Sequence, residues 1–482
     1  MALVGLDIGT SSVKGLALRP DGSVLAQAAE GLTVLSPRPG WSEQEPELWW
    51  RASERVLDAL GAQVGEPEGI GLSGQMHGLV ALDGRDRVLR PALLWNDQRT
   101  AAEADEIEAR AGGLPALLTA TGNRSLTGFT APKLLWMERH EPDLHARIAS
   151  LLLPKDYVRL RLCGERATDV TDASGSGWFD VRRRSWSPTM LEALRVPASW
   201  LPPALESEMP SGTTRSGAPV AAGAGDQAAG ALGVGAASPG CGSVVLGTSG
   251  VVLSPLEGYA ADAHGRLQAS CHARPDGWFA MGVVLSAAGS LHWLRGILGF
   301  EVSAETLLGE AARWPPGVEG LTFLPYLTGE RTPHANPYAR GAFAGLSIRH
   351  DRGALVRAVL EGVAFALRDC VDLVTDLGGA PRTLRISGGG ARSGLWLEIL
   401  ASVLQMPLER VAVDAGAAYG AAMLGGVAGG VWSSAAEAVT ACVRASAAVE
   451  PVPEWVARYE ELRGRFRALY PALNDRNQPS RL

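Results

Sequence analysis

The sequence predicts an α/β protein built as two related lobes, and three observations predict it. A strand, a Gly-Thr-Ser turn and a second strand stand near the start of each half, as "LDIGTSSVKG" from Leu6 and "LGTSGVVLSP" from Leu246. Apolar strands alternate with amphipathic helices, most plainly in "TLRISGGGARSGLWLEILASVL" from Thr383. The 482 residues also exceed what one hydrophobic core serves.

Taken in order, "LVGLDIG", "VKGLALR" and "VLAQAAE" read as three short strands joined by hairpins, the second turn being "PDGS". "PELWWRASERVLDALG" follows as a helix, with Leu48, Ala52, Val56 and Leu60 every fourth residue on its apolar face. "GIGLSG" is the next strand. From about residue 100 to 215 the texture is irregular, with helical stretches, the Trp-rich "SGWFDVRRRSWS" and the Pro-rich "WLPPALES", which suits an insertion or lid on the first lobe. The run Arg182 to Arg184 within it reads as a solvated face. A Gly/Ala-rich run then places the boundary near residue 217, giving lobes 1–217 and 218–445 and a helical tail 446–482. In the second lobe "ALVRAVLEGVAFALRDCVDLV" is a long amphipathic helix and "AAYGAAMLGGVAG" a second, tight one. Residues 415 to 436 carry no charge, yet their Ala, Gly and Ser content is too weakly apolar for a spanning helix and suits one packed closely on a sheet.

Composition excludes several classes. Lys and Arg number 44 against 51 Asp and Glu, a net charge of −7 that gives nucleic acid no basic field to meet. Lysine occurs only at Lys14, Lys133 and Lys155. Five scattered cysteines, with no metal-ligand spacing to the eight histidines, suit a reducing cytoplasm. The opening "MALVGLDIG" begins as a strand without a basic n-region, so neither a signal peptide nor a membrane partner is expected.

The chemistry is expected at the turns. Gly9 has no Cβ, so successive N–H groups can form a nest for phosphate oxygens, to which Thr10, Ser11 and Ser12 add hydroxyls and Lys14 a charge. Asp7 at the strand end makes sense beside polyphosphate as a partner of Mg²⁺. A polar hairpin turn would read the same way; recurrence as Gly247, Thr248 and Ser249 favours phosphate. In "GAGDQAAGALG", Asp226 is either a helix N-cap or, among small neighbours, a general base for a substrate hydroxyl. "SGQMHG" sets Met76 and His77 between glycines at a strand end, and "LLWNDQRT" offers Trp95, Asn96 and Asp97 as a sugar pocket's wall and hydrogen-bonding groups. "SGGGARSGLW" is a glycine loop opening a helix, with neither dinucleotide nor P-loop spacing. "LTGERTPHANP" reads as a polar structural loop near an interlobe cleft.

Taken together, "DIGTSSVKG", "GQMHG", "WSEQEPELWW", "RPALLWNDQRT", "LLPKDYVRLRLCGE", "GDQAAGA", "LGTSG", "FLPYLTGERTPH" and "ISGGGARSGLW" resemble, in order and over almost the whole chain, the FGGY carbohydrate kinases. "GQMHG" favours the branch acting on D-xylulose over those acting on glycerol or ribulose. The resemblance implies two actin-like (ribonuclease H-like) ATPase lobes with an interlobe cleft, sugar on the N-terminal lobe and ATP on the C-terminal one. It implies Asp226 as general base, Asp7 as the Mg²⁺ partner, and Met76 and His77 on D-xylulose. It also implies Gly9 to Ser12 and Gly247 to Ser249 on the ATP phosphates, and Gly389, Gly390 and Ser393 beside adenosine. Gln227 stands where many members carry Asn, a position that contacts the sugar. A homodimer is the assembly the resemblance allows. The other readings open at this point are a family kinase for D-ribulose or arabinitol and a non-catalytic actin-like sugar-binding protein.

Overall fold

The computed structural model describes residues 1–299, 301–413 and 415–477, and these fall into two compact units. The first gathers residues 1–237, 256–279 and 415–443; the second gathers 238–255, 280–299, 301–413 and 444–477. Compactness therefore does not follow the single crossing expected near residue 217, because the tight helix Ala417–Ala428 belongs with the first unit.

The expected meander forms as strands Leu3–Ile8, Ser12–Leu18 and Val24–Gly31, each antiparallel to the next. The helix Pro46–Val64 carries the chain to Gly69–Gly74, which lies parallel to Leu3–Ile8 and sets Asp7 opposite Ser73 and Ile8 opposite Gly74. On the far side of Gly69–Gly74 the two-residue strand Ala224–Gly225 pairs parallel, Gly225 facing Gly74. This register brings the C-terminal ends of three strands level.

The sheet is covered on both faces, which is why Leu3–Ile8 is almost wholly buried. One cover is the helix Pro46–Val64, whose buried residues are Pro46, Trp49, Ala52, Ser53, Val56 and Leu60. Leu48, expected on that face, is instead 38% exposed, because a helix advances 100° per residue and Trp49 takes the inward position. The other cover is Ala417–Ala428, which meets the sheet backbone to backbone. A Cβ on Gly71 would lie 1.7 Å from the carbonyl oxygen of Ala421, and one on Gly5 would lie 2.0 Å from that of Ala418. The region 100–215 is more regular than its texture suggests, with helices Ala101–Arg110, Leu114–Thr121, Thr130–His140 and Pro154–Cys163, and it lies in the first unit. Arg184, expected on a solvated face, is tucked in, donating to Glu206 at 2.7 Å and to the carbonyl of Gly277 at 2.7 Å.

In the second unit Cys241–Leu246 and Gly250–Leu256 form the recurring hairpin, and Thr383–Ser387 runs parallel to its first strand. The local topology repeats the first unit's: a tight hairpin with a parallel neighbour on the outer side of its leading strand. Leu408–Val411 and Ala445–Val449 extend the sheet. The long helix Arg352–Asp376 packs into this core, as do Tyr459, Leu462 and Phe466 of Pro453–Asn477, so the helical tail is part of the unit's interior. Glu330 of the polar loop is buried, its Oε1 accepting from the N–H groups of Leu285 at 3.0 Å and Arg331 at 2.7 Å. Among the described residues no helix is long and apolar enough to cross a membrane, and none of the five cysteines forms a disulfide.

The backbone contact gives a stability prediction. Gly71→Ala must force Ala417–Ala428 off the sheet and is expected to cost at least the 1–3 kcal/mol usual for an overpacked core. Gly61→Ala, at an exposed position in the last turn of Pro46–Val64 with nothing within 4 Å of its Cβ, should be neutral or stabilising. Urea midpoints of the two variants against the wild type check this; equal midpoints would remove the close-packing account.

Candidate active site

The level strand ends of the first unit place two carboxylates together. Asp7 is the penultimate residue of Leu3–Ile8, and Asp226 follows directly on Ala224–Gly225. Asp226 is not the N-cap of the helix it opens: Gly225 holds that position, so the carboxylate is left for other use. Protein packed around Asp226 raises its pKa to about 7, and the negative charge of Asp7 pushes the same way. Asp7 is raised to about 6 by burial, against the opposing charge of Lys14. Lys14 is exposed and lies opposite Asp7 in the hairpin register. Two carboxylates in such mutual reach are a common arrangement of catalytic sites.

Gln227, expected on the sugar, turns back and donates from Nε2 to Asp226 Oδ1 at 3.3 Å. Met76 is buried against the backbone, where a Cβ on Gly225 would lie 2.8 Å from its Cγ. His77 has φ of 70°, a strained conformation outside glycine, and its carbonyl oxygen accepts from Lys133 Nζ at 2.7 Å and Thr130 Oγ1 at 3.2 Å. Its ring stacks on Phe129, and Nδ1 lies 2.8 Å from the carbonyl oxygen of Gly175, so Nδ1 carries the proton of that bond. Burial lowers Lys133 to about 7 although Asp97 acts against it.

The first turn closes with Gly9 N–H donating to the carbonyl of Ser12 at 3.1 Å. Two glutamines that sequence reasoning left out of the site hold it. Gln44 Nε2 donates to the Thr10 carbonyl at 2.7 Å, and Gln75 Nε2 donates to Gln44 Oε1 at 3.1 Å and to the Gly9 carbonyl at 3.4 Å. Thr10 is spent in this network: its hydroxyl donates to Gln75 Oε1 at 3.0 Å and accepts from Trp95 Nε1 at 3.0 Å. With its one hydroxyl proton used, any contact of Thr10 with a phosphate would fall to its backbone N–H. Ser11 is exposed and Ser12 partly so, and they keep the expected position.

Asp97 also departs from expectation. It is fully buried, and its oxygens accept from the Ser42 N–H at 2.7 Å, the Arg99 N–H at 3.0 Å and the Arg99 guanidinium at 2.7 to 3.0 Å, which makes it a structural ion pair rather than a sugar contact. Trp95 and Asn96 are exposed beside it.

In the second unit, the turn Gly247 to Ser249 closes through Gly247 N–H and the Ser249 carbonyl at 3.1 Å. The Thr248 carbonyl accepts from Ala287 at 2.8 Å and Gly289 at 3.0 Å at the start of the helix Ala288–Leu298. In the glycine loop, Gly388 takes φ of 91° with its backbone against Leu246, Gly389 is open, and Gly390 packs on Leu246. Ser393 caps the helix Gly394–Leu404, accepting from the Trp396 N–H at 3.2 Å.

Comparison with known proteins places these features in context. The N-terminal domain of the FGGY family of carbohydrate kinases matches residues 2–233, and its C-terminal domain matches residues 242–429. A xylulose kinase of Escherichia coli strain K12 is 42% identical, the match covering 98% of this chain and 99% of that protein. A crystal structure of a xyloylose kinase from Brucella ovis superposes with a TM-score of 0.93 at 41% identity, covering 98% of this chain and 100% of the other. That of a xylulose kinase from Rhodospirillum rubrum gives 0.92 at 34%, covering 99% and 100%.

The coupled carboxylates carry a prediction in pH. Asp226 and Asp7 have folded pKa values above the ordinary carboxylate range, so their contribution to stability is complete below the unfolded values and is lost as pH rises through about 6 to 7. Asp226→Asn should therefore raise Tm relative to wild type more at pH 8 than at pH 5. Asp7→Asn should lower the Asp226 pKa, read by carbon NMR of labelled carboxyls; an Asp226 titration unmoved by that change would show that the two do not interact.

Proposed function

The chain belongs to the FGGY family of carbohydrate kinases and has that family's actin-like α/β fold, and from this premise we propose that it transfers the γ-phosphoryl group of ATP to D-xylulose. The products are ADP and D-xylulose 5-phosphate. The observation that carries the reading is the pairing of Asp226 with Asp7 at level strand ends, with Asp226 near pH 7 and free of any capping duty. A carboxylate with that pKa is substantially ionised at neutral pH yet basic enough to take a proton. Met76 and His77, set by the strained turn after Gly74, hold the sugar. Asp226 accepts the proton of the reacting hydroxyl as its oxygen bonds to the γ-phosphorus and the bond to the β–γ bridging oxygen breaks.

Asp7 fits a divalent cation. Its Oδ1 is buried and accepts no hydrogen bond, an acceptor left for a hard cation. Among the described residues no group of three or more His, Cys, Asp or Glu side chains forms a metal cage, which suits Mg²⁺ delivered with a nucleotide rather than resident in the protein. When bound it supplies charge neutralisation on the phosphates. The turn Gly247 to Ser249 and the loop Gly389, Gly390 and Ser393 are the second unit's candidates for phosphate and adenosine contacts, Ser393 through groups other than the capping oxygen. Lys14, on the strand that leaves the first unit's turn, adds a cation opposite Asp7. Five cysteines outside any disulfide suit action in the reducing cytoplasm.

Two variants test the assignment of roles. Asp226→Asn should cut kcat by about 10² or more while leaving D-xylulose affinity within a few fold; retained turnover would mean that another group takes the proton. His77→Ala should mainly raise KM, and a pure kcat defect would move His77 from binding to chemistry.

A further inference from the structure

The segment between Asp169 and Gly175 touches the site at both ends, and its anchorage is fully buried. Asp169 caps the single helical turn Val170–Ala173, its Oδ2 accepting from the Thr171 N–H at 2.7 Å. The same oxygen accepts from the Thr171 hydroxyl at 2.5 Å. Its other oxygen lies 2.8 Å from Lys155 Nζ, and Lys155 also meets Asp156 at 2.6 Å and Asp172 at 3.2 Å. Arg159 closes the cluster on Asp156 at 2.8 Å and reaches the carbonyl of Ala222, just upstream of Ala224–Gly225.

The Thr171 hydroxyl has one proton, and the carboxylate of Asp169 takes it. Its lone pair is thereby turned to the N–H of Gly225, 2.8 Å away, the residue immediately before Asp226. Four residues later the Gly175 carbonyl holds His77 Nδ1 at 2.8 Å, and Gly175 has no room for a side chain: a Cβ there would lie 2.3 Å from His77 Cε1.

We propose that Asp169 to Gly175 is a bracket that fixes the distance between the base and the sugar-holding histidine, with Thr171 the positioning residue for Asp226 and Gly175 the one for His77. The inference rests on the roles assigned to Asp226 and His77 above. Lys155 is its foundation: it holds the Asp169 oxygen that does not meet Thr171, so the hydroxyl keeps one orientation. Each end of the bracket serves one kinetic constant.

The test uses the full chain with ATP, Mg²⁺ and D-xylulose. Thr171→Val keeps the shape and removes the acceptor, and is expected to lower kcat by on the order of 10- to 100-fold, the scale of a misplaced catalytic group, with KM changed by less than about threefold. Thr171→Ser should restore most of kcat. Gly175→Ala should raise KM far more than it lowers kcat. Hydrogen–deuterium exchange of the peptide spanning Gly225 and Asp226 should quicken in Thr171→Val and not in Thr171→Ser, a readout that needs no turnover. Unchanged exchange and kcat in Thr171→Val, or equal losses in Val and Ser, would overturn the bracket; should the Val variant not fold, a kcat-only loss in Gly175→Ala would do so. Asp226→Asn separates the two readings: if it retains wild-type turnover the base assignment fails, whereas if it is inactive and Thr171→Val is silent only the bracket fails.

Discussion

The site depends on one electrostatic constraint: two carboxylates held where protein surrounds them and each feels the other. In open water Asp7 and Asp226 would each ionise like any carboxylate. At the strand ends made level by the register Ile8 to Gly74 to Gly225, burial raises them to about 6 and about 7, the charge of Asp7 adding to the shift of Asp226, and that costs the fold stability at the pH where it works. The surrounding structure resists their separation. Three strands bonded side by side fix the backbone under them, and the Gln44–Gln75 network fixes the turn beside them.

Rigidity of the sheet has its own origin in glycine. Gly5 and Gly71 let the helix Ala417–Ala428 approach the strands closer than any side chain permits, so a segment from late in the chain closes the first unit. The uncharged Ala/Gly run is therefore the counterpart of the glycines in Leu3–Ile8 and Gly69–Gly74, and neither has a packing purpose without the other. The hairpin of the second unit repeats the first unit's local topology, down to a glycine N–H closing each turn at 3.1 Å.

Much of this was legible in the sequence for physical reasons. Short apolar strands, the hairpin turns and the repeated Gly-Thr-Ser unit are local signals, and the structure follows them. Asp7, Asp226, Met76 and His77 could be singled out as candidates because each lies within two residues of a glycine, where backbone can approach something closely. What escaped was long-range. Nothing near Thr10 announces that Gln75 and Trp95 will use its hydroxyl, and nothing near Asp97 announces that the Ser42 N–H will join Arg99 on its carboxylate. Leu48 was misplaced because spacing of four drifts from a 3.6-residue turn, and Trp49 won the buried position. The discontinuous units could not be read from composition, which changes near residue 217 for local reasons. A lysine, an arginine and three aspartates within "LPKDYVRLRLCGERATDVTD" were the available sign of the buried cluster, since charges folded into an interior must pair with one another.

The central claim is that these residues compose a kinase for D-xylulose, and release of ADP by the purified protein tests it most directly. The assay would run with ATP and Mg²⁺ across D-xylulose, D-ribulose, L-ribulose, glycerol, D-arabinitol and no sugar. The account predicts rapid release with D-xylulose and only slow release with the rest. Equal, low release with every sugar would contradict it, and strong release with D-ribulose or D-arabinitol alone would keep the base at Asp226 while giving the pocket at Met76 and His77 a different substrate.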